Sequence, residues 1–499
     1  MHTVPRDLGA LPRDLGALLS AASPLCAEAL ADARACNLQL SLAELKPAAR
    51  SGARAVERST LRCSEAQGAA AWARGGGGGS GGRTLPGALA ARDAYFYPAS
   101  AVKLCAAVAA LQRVQALRRT LGPCACDADA PLVLHARGGD AEATCGTRAG
   151  AHPRAAHSRD ASNARGGTIT VAHELRKLFL VSDNEAFNRL WDFAGHEAIN
   201  RSMWAAGLHS ARLHHRLHDA AQQKRPEREK CTPAVEVHPR HGGVGAYALP
   251  PQRSKLDVPP TLGATLGAAY VPPGSSADSD VVHAPLDFSL RNAMSLTDLQ
   301  DCLIKLLAPD VRPQGSPGFG LSGDHSELLR EAMAQYPCSS ANPSYARERH
   351  PDEWCKFFLP GLRRVLPGNA LRVYNKIGQA YGHTIDNALI VDCETGRGFF
   401  LAATVYTNAN GVLNDDKYEY GRGEALLADI AEAVARAVWQ LPPERSLATT
   451  ALCGWSEAER DAAEREAERQ RHPNGAPAAA AASAALAPYA TNKCWLDED

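Results

Sequence analysis

Residues 95 to 104 read YFYPASAVKL, so a lysine follows a serine by three positions where an aromatic run gives way to an apolar stretch. Pro98 favours extended backbone before it and a helix start after it. SAVKLCAAVAALQRVQAL is Ala/Leu-rich and free of Gly and Pro, which predicts a helix from near Ser100 with Ser100 and Lys103 on one face, a turn apart. An amine is then within reach of a hydroxyl. Taken alone, the pair reads as an N-capping serine beside a solvated lysine. Two later triplets change that reading: Ser182-Asp183-Asn184 between two predicted helices, and Lys376-Ile377-Gly378 at the end of a predicted strand.

The elements that must position these residues are legible along the chain. CNLQLSLAEL (36 to 45) alternates like a half-buried strand. The stretch ITVAHELRKLFLVSDNEAFNRLWDFAGHEAINRSMWAAG (169 to 207) reads as helix, tight turn, helix and helix, and MSLTDLQDCLIKLL (294 to 307) as an amphipathic helix capped by Ser295, with Asp298 in its first turn. LRVYNKI (371 to 377), HTIDNALIVD (383 to 392) and GFFLAATVYTN (398 to 408) are β-rich runs, the last two joined by the turn CETGR. They predict an antiparallel meander that the 36 to 45 strand should join, with GEALLADIAEAVARAVWQL (423 to 441) as a closing helix packed on it. The architecture implied is α+β: an antiparallel sheet flanked by helices, plus an inserted all-α region, with the active site at the seam. In domain terms, residues 1 to 35 are a leader of uncertain order and 36 to 445 one catalytic domain. That domain carries a flexible Gly-rich insert at about 66 to 86 and an irregular insert at about 210 to 290. Residues 446 to 499 form a low-complexity tail.

Composition bounds the function. With 499 residues, 45% hydrophobic and 22% charged, the chain can bury a sizeable core. Its formal net charge of +0 supplies no global field for nucleic acid, and no such partner is expected. The 14 cysteines are scattered, and Cys124 and Cys126 are too isolated for a zinc site, so buried packing is the expectation for most of them. His214 and His215 lack a carboxylate or cysteine at ligand spacing, and NDDKYEY (414 to 420) lacks that of a calcium loop. No metal and no cofactor are expected. The duplicated heptad PRDLGAL (5 to 11 and 12 to 18) is too short for a solenoid; Asp7 and Asp14 spoil the basic flank of a secretion signal. No run approaches the ~18 to 20 apolar residues of a membrane span.

Ser100-x-x-Lys103, Ser182-Asp183-Asn184 and Lys376-Ile377-Gly378, in that order and context, are similar to the S-x-x-K, S-D-N and K-T-G set of class A β-lactamases and penicillin-binding proteins. YFYPASAVKL, LFLVSDNEAFNRLWDFAG, VYNKIGQAYGHTIDNALIVD and GVLNDDKYEY extend the resemblance to class A β-lactamase-like serine hydrolases over roughly residues 36 to 440. The resemblance implies acyl transfer. Ser100 would attack, Lys103 would take its proton, and Lys103 could do so only if burial or a second cation lowered its pKa. Lys376 would be that cation and would attract a substrate carboxylate. Ser182 would relay a proton to the leaving nitrogen, and Asn184 would bond both Lys103 and the substrate amide. The backbone N–H groups of Ser100 and of Gln379, just after Gly378, would hold the oxyanion. Asp183 reads as the cap of the second helix.

Two departures from the family stand out. The third motif reads KIG, which replaces a hydroxyl by the methyls of Ile377, and no Glu-x-x-Leu-Asn segment is visible. RPEREKCTP (225 to 233) offers Glu227 and Glu229 as candidate deacylation bases, with Arg225 and Arg228 expected to lower their pKa values. The expected substrate is a small-molecule amide or β-lactam, and the chain is expected to act as a monomer. A D-alanyl-D-alanine peptidase-like enzyme and a non-catalytic, partner-binding descendant are the alternatives.

Overall fold

The computed structural model describes residues 15–32, 35–47, 54–63, 70–75, 95–121, 126–135, 157–217, 226–239, 245–275, 280–311, 316–366 and 370–439. The first heptad copy, most of the glycine run and the 446 to 499 tail lie outside the described residues.

The described residues form one six-stranded antiparallel sheet from strands at both ends of the sequence. β1 (Gln39–Pro47), β2 (Arg54–Cys63) and β3 (Ala70–Gly75) come first, and β4 (Leu371–Ala380), β5 (His383–Asp392) and β6 (Arg397–Tyr406) last. The spatial order is β4-β5-β6-β1-β2-β3, with Gln39 opposite Thr404 where the halves join. β4 and β5 are buried at every position because the sheet is covered on both faces. Successive side chains alternate between two cores: Tyr374, Ile385 and Leu389 belong to one, and Val373, Ile377 and Ile390 to the other.

Six helices build the first core: α3 (Lys103–Leu121), α4 (Val171–Leu180), α5 (Asn184–Ala194), α6 (His196–Ala205), α7 (Leu296–Leu307) and α8 (Gly323–Ala334). The second core lies under α9 (Tyr420–Trp439) and two short N-terminal helices, α1 (Leu15–Ala22) and α2 (Pro24–Ala31), whose Leu15, Leu19 and Cys26 are buried in it. Ser295 caps α7 through Asp298 N–H, and Thr170 and Asp183 cap α4 and α5.

The structure departs from the sequence reading at several points. Part of the expected leader is helical and packed, and β3 occupies part of the expected Gly-rich insert. The helix expected from Ser100 begins as a 3-10 turn, Ala99–Val102, and becomes α-helical only at Lys103. The 210 to 290 insert holds short ladders, one of which pairs Ala269–Tyr270 with Val412–Leu413 in parallel. Cys231 is disulfide-bonded, whereas Cys105, Cys302 and Cys355 are free and buried. Among the described residues, no helix is long and apolar enough to cross a membrane.

Candidate active site

The three motifs converge where the edge strand β4 meets the start of α3. Ala99 takes a left-handed φ of 46°, and Ala101 N–H donates to Pro98 O at 3.0 Å, which tightens the turn that carries Ser100. Gly378 packs directly on that turn. A Cβ added there would lie 2.5 Å from Pro98 O, 2.9 Å from Ala101 N and 3.3 Å from Ser100 N, so only a glycine allows the strand backbone this close. The alternation of β4 turns Lys376 toward the helices.

Ser100, Lys103, Ser182 and Lys376 are all buried. Lys103 Nζ donates to Asn184 Oδ1 at 2.7 Å and to the backbone oxygen of Ser182, with Ser182 Oγ at 3.4 Å. Lys376 Nζ lies 2.6 Å from Ser182 Oγ and donates to Ile377 O at 2.9 Å. Ser182 therefore sits between two ammonium groups. Burial, and next the charge of Lys376, holds the Lys103 amine well below the ordinary lysine range. Burial brings Lys376 down to about 8, against the nearby Cys355 and Asp386, which act to raise it. Of the two amines, Lys103 is the one whose ammonium form is disfavoured by burial and by a neighbouring cation together, which suits it to accept a proton.

Gln379, one residue past Gly378, points its side chain away from this group, to Glu424 Oε1 at 3.1 Å and Thr384 Oγ1 at 3.4 Å. Its backbone follows the Gly378 contact with the Ser100 turn, the position from which two N–H groups could share an oxyanion.

Glu227 and Glu229 stand in a separate ion-pair cluster. Glu227 is exposed and bonds Lys230 at 3.1 Å and Arg253 at 2.6 Å; those two hydrogen bonds, Lys230 first, lower its pKa. Glu229 is buried and accepts from Arg216 N–H at 2.8 Å and Nη1 at 3.0 Å. Arg216 also pairs with Asp192 and lies over the Trp191 ring at 5.7 Å. Arg225 lies outside the described residues; among the described ones the cations bonded to the two glutamates are Arg216, Lys230 and Arg253, because the short helix Pro226–Glu229 turns one glutamate outward and the other inward. His214 and His215 donate their backbone N–H groups to Asn292 Oδ1 and anchor this segment.

Sequence reasoning missed two supporting layers. Behind Lys376, Lys356 donates to Met333 O, Val373 O and Asn375 Oδ1 at 2.7 to 2.8 Å, and Asn375 bonds Asp386 at 2.8 Å. Behind Ser182, Lys177 bonds Asp160 at 2.8 Å and approaches Asp183 at 3.3 Å. Lone lysines in apolar runs give no signal for either role.

Residues 88–238, which hold the first two motifs, match the family described as Beta-lactamase enzyme family. Among solved structures the chain is similar to a β-lactamase from Sphaerobacter thermophilus, at 15% identity and TM-score 0.38 over 86% of this chain and 98% of that one. It is similar to a β-lactamase from Burkholderia phymatum, at 16% and 0.37 over 85% and 99%. A mutant of PBP-A, solved as an acyl-enzyme complex with penicillin G, is similar at 14% and 0.40 over 87% and 100%. No curated protein matches. The family match and the motifs agree on a β-lactamase-like serine hydrolase in kind.

Proposed function

We propose that the protein opens β-lactam rings through an ester on Ser100. Ser100 Oγ attacks the lactam carbonyl carbon while its proton passes to Lys103 Nζ. The C–N bond then breaks, and the leaving nitrogen takes a proton from Ser182 Oγ, which Lys103 resupplies with the proton it took from Ser100, while Lys376 stays charged beside Ser182 Oγ. Asn184 positions Lys103 and the substrate amide, and Lys376 attracts the substrate carboxylate. The N–H groups of Ser100 and Gln379 receive the oxyanion. The observation that carries this reading is the chain Lys376 Nζ, Ser182 Oγ, Lys103 Nζ, Asn184 Oδ1, with steps of 2.6, 3.4 and 2.7 Å. Intact-protein mass spectrometry after incubation with a penicillin tests it: an adduct of one penicillin mass is expected, absent in Ser100→Ala. No adduct on the unaltered chain would refute acyl transfer and favour a partner-binding descendant of the fold.

A D-alanyl-D-alanine peptidase-like activity is the second reading. The commitment of Glu227 and Glu229 to cations favours it, since such an enzyme shares the acylation machinery without a dedicated glutamate. A long-lived adduct would point to it, and a transient one to β-lactam hydrolysis.

A further inference from the structure

Ser182 takes a φ of 56°, a left-handed conformation uncommon for a residue with a side chain. Such backbone persists only where its surroundings hold it. On the front of the turn, Ser182 meets Lys103 and Lys376. On the back, one residue gathers the contacts. The carbonyl of Lys177, in the last turn of α4, accepts from Val181 N–H at 3.1 Å and Asp183 N–H at 3.4 Å. Its ammonium, nine-tenths buried, lies 3.3 Å from Asp183 Oδ2 and 2.8 Å from Asp160 Oδ2. Asp160 in turn takes Arg189 of α5 at 2.7 Å, and Glu174 lies 3.4 Å from Arg189 and 4.0 Å from Lys177.

The two oxygens of Asp183 divide the work. Oδ1 accepts from Ala186 N–H at 2.8 Å and caps α5, while Oδ2 faces Lys177. Breaking the ion pair at the Asp183 side therefore leaves the cap oxygen in place while loosening the turn. We propose that Lys177 is a positioning residue for acylation: its ion pair with Asp183, braced by Asp160, fixes the 181 to 184 turn so that Ser182 Oγ stays on Lys376. Lys177 touches no reacting atom. This role rests on the proposed function, because it matters only where Ser182 carries a proton.

The variants that test it are Lys177→Met, Lys177→Arg and Asp183→Asn, the last retaining an N-capping oxygen and close to the same volume. Lys177→Met and Asp183→Asn should each slow the first-order acylation by penicillin about tenfold or more, with apparent affinity within about twofold, since the pair faces away from substrate. Lys177→Arg, which can still reach both carboxylates, should restore most of the rate. The double variant should be no slower than Lys177→Met alone, because that change already breaks the Lys177–Asp183 pair, the one interaction Asp183→Asn removes. Unchanged acylation in Asp183→Asn, or a lowered melting temperature in Lys177→Met with acylation intact, would overturn the proposal. Asp183→Asn keeps the test open if Lys177→Met does not fold. If the unaltered chain is not acylated by penicillin, the proposed function fails, and amide exchange across 181 to 184 decides the clamp alone. Faster exchange in Asp183→Asn upholds it, and unchanged exchange overturns it.

Discussion

At the scale of single residues, the site depends on lysines that are not in their ordinary state. In the proposed reaction Lys103 is the base, a role that burial and the Lys376 charge make possible by disfavouring its ammonium form, so Lys103→Ala should slow acylation by roughly 10² to 10⁴, the usual range for losing a general base. Rates measured from adduct formation check this, and full activity would mean that another group takes the proton. Lys376 gives a second prediction. Its pKa is lowered to about 8, so below that pH it is charged and, in the proposed reaction, would attract a substrate carboxylate, an attraction lost above it. The acylation kcat/KM should therefore fall as pH rises through about 8, with the limb belonging to the coupled lysine pair. Lys376→Arg, which stays charged, should move the fall to higher pH. A flat profile from about pH 7 to 10 in the unaltered chain would contradict the assignment. The spacing of Ser100 and Lys103 and the triplet at 182 could be read from sequence because they are local. The fate of Glu229 could not be, since its partner Arg216 lies outside the RPEREKCTP segment and reaches it only through the fold.

At the scale of elements, one glycine sets the distance between β4 and the Ser100 turn. In Gly378→Ala the new methyl would meet Pro98 O at 2.5 Å and Ala101 N at 2.9 Å, and both are backbone atoms that cannot rotate away. The strand or the turn must shift. Overpacking of this kind costs about 1 to 3 kcal/mol, so the variant should fold with a lower melting temperature and lose acylation disproportionately. Thermal denaturation alongside adduct formation checks both halves; retained acylation would show that the close approach is not needed. The same contact explains why the 3-10 start at Ala99–Val102 was not legible: local propensity favours an α-helix from Ser100, and the competing influence comes from a strand far away in sequence. The late strands were legible because β-branched and aromatic runs end at clear turns. β2 and β3 were not, since RAVERSTLRC mixes Arg, Glu and Ser with few apolar residues and AAWARG is Ala- and Gly-rich, so pairing rather than propensity makes them strands.

At the scale of the whole molecule, the site is assembled from opposite ends of the chain. The sheet joins β1 to β6, and helices fill the sequence between, so the Ser100 turn and the β4 strand that packs on it at Gly378 come together only through the fold. This assembly brings together the groups that the proposed acylation would use, whereas the two candidate deacylation bases serve the structure elsewhere. Glu229 and Asp192 together balance an Arg216 with no exposed surface. Glu229→Gln would leave that guanidinium short of one charge, and breaking a buried pair in this way costs roughly 3 to 5 kcal/mol. Releasing an ester from Ser100 requires a base on a neighbouring water, and a carboxylate tied to Arg216, or one held by Lys230 and Arg253, is poorly suited to that task. Stopped-flow measurement with a chromogenic cephalosporin should therefore show a burst of about one equivalent per enzyme and then a slower steady rate. Glu227→Gln should leave burst and steady rate unchanged, and Glu229→Gln should lower the melting temperature before it alters the ratio of the two phases. Rapid linear turnover that collapses in either variant, with the melting temperature unmoved, would make that glutamate the deacylation base and its ion pair a resting arrangement.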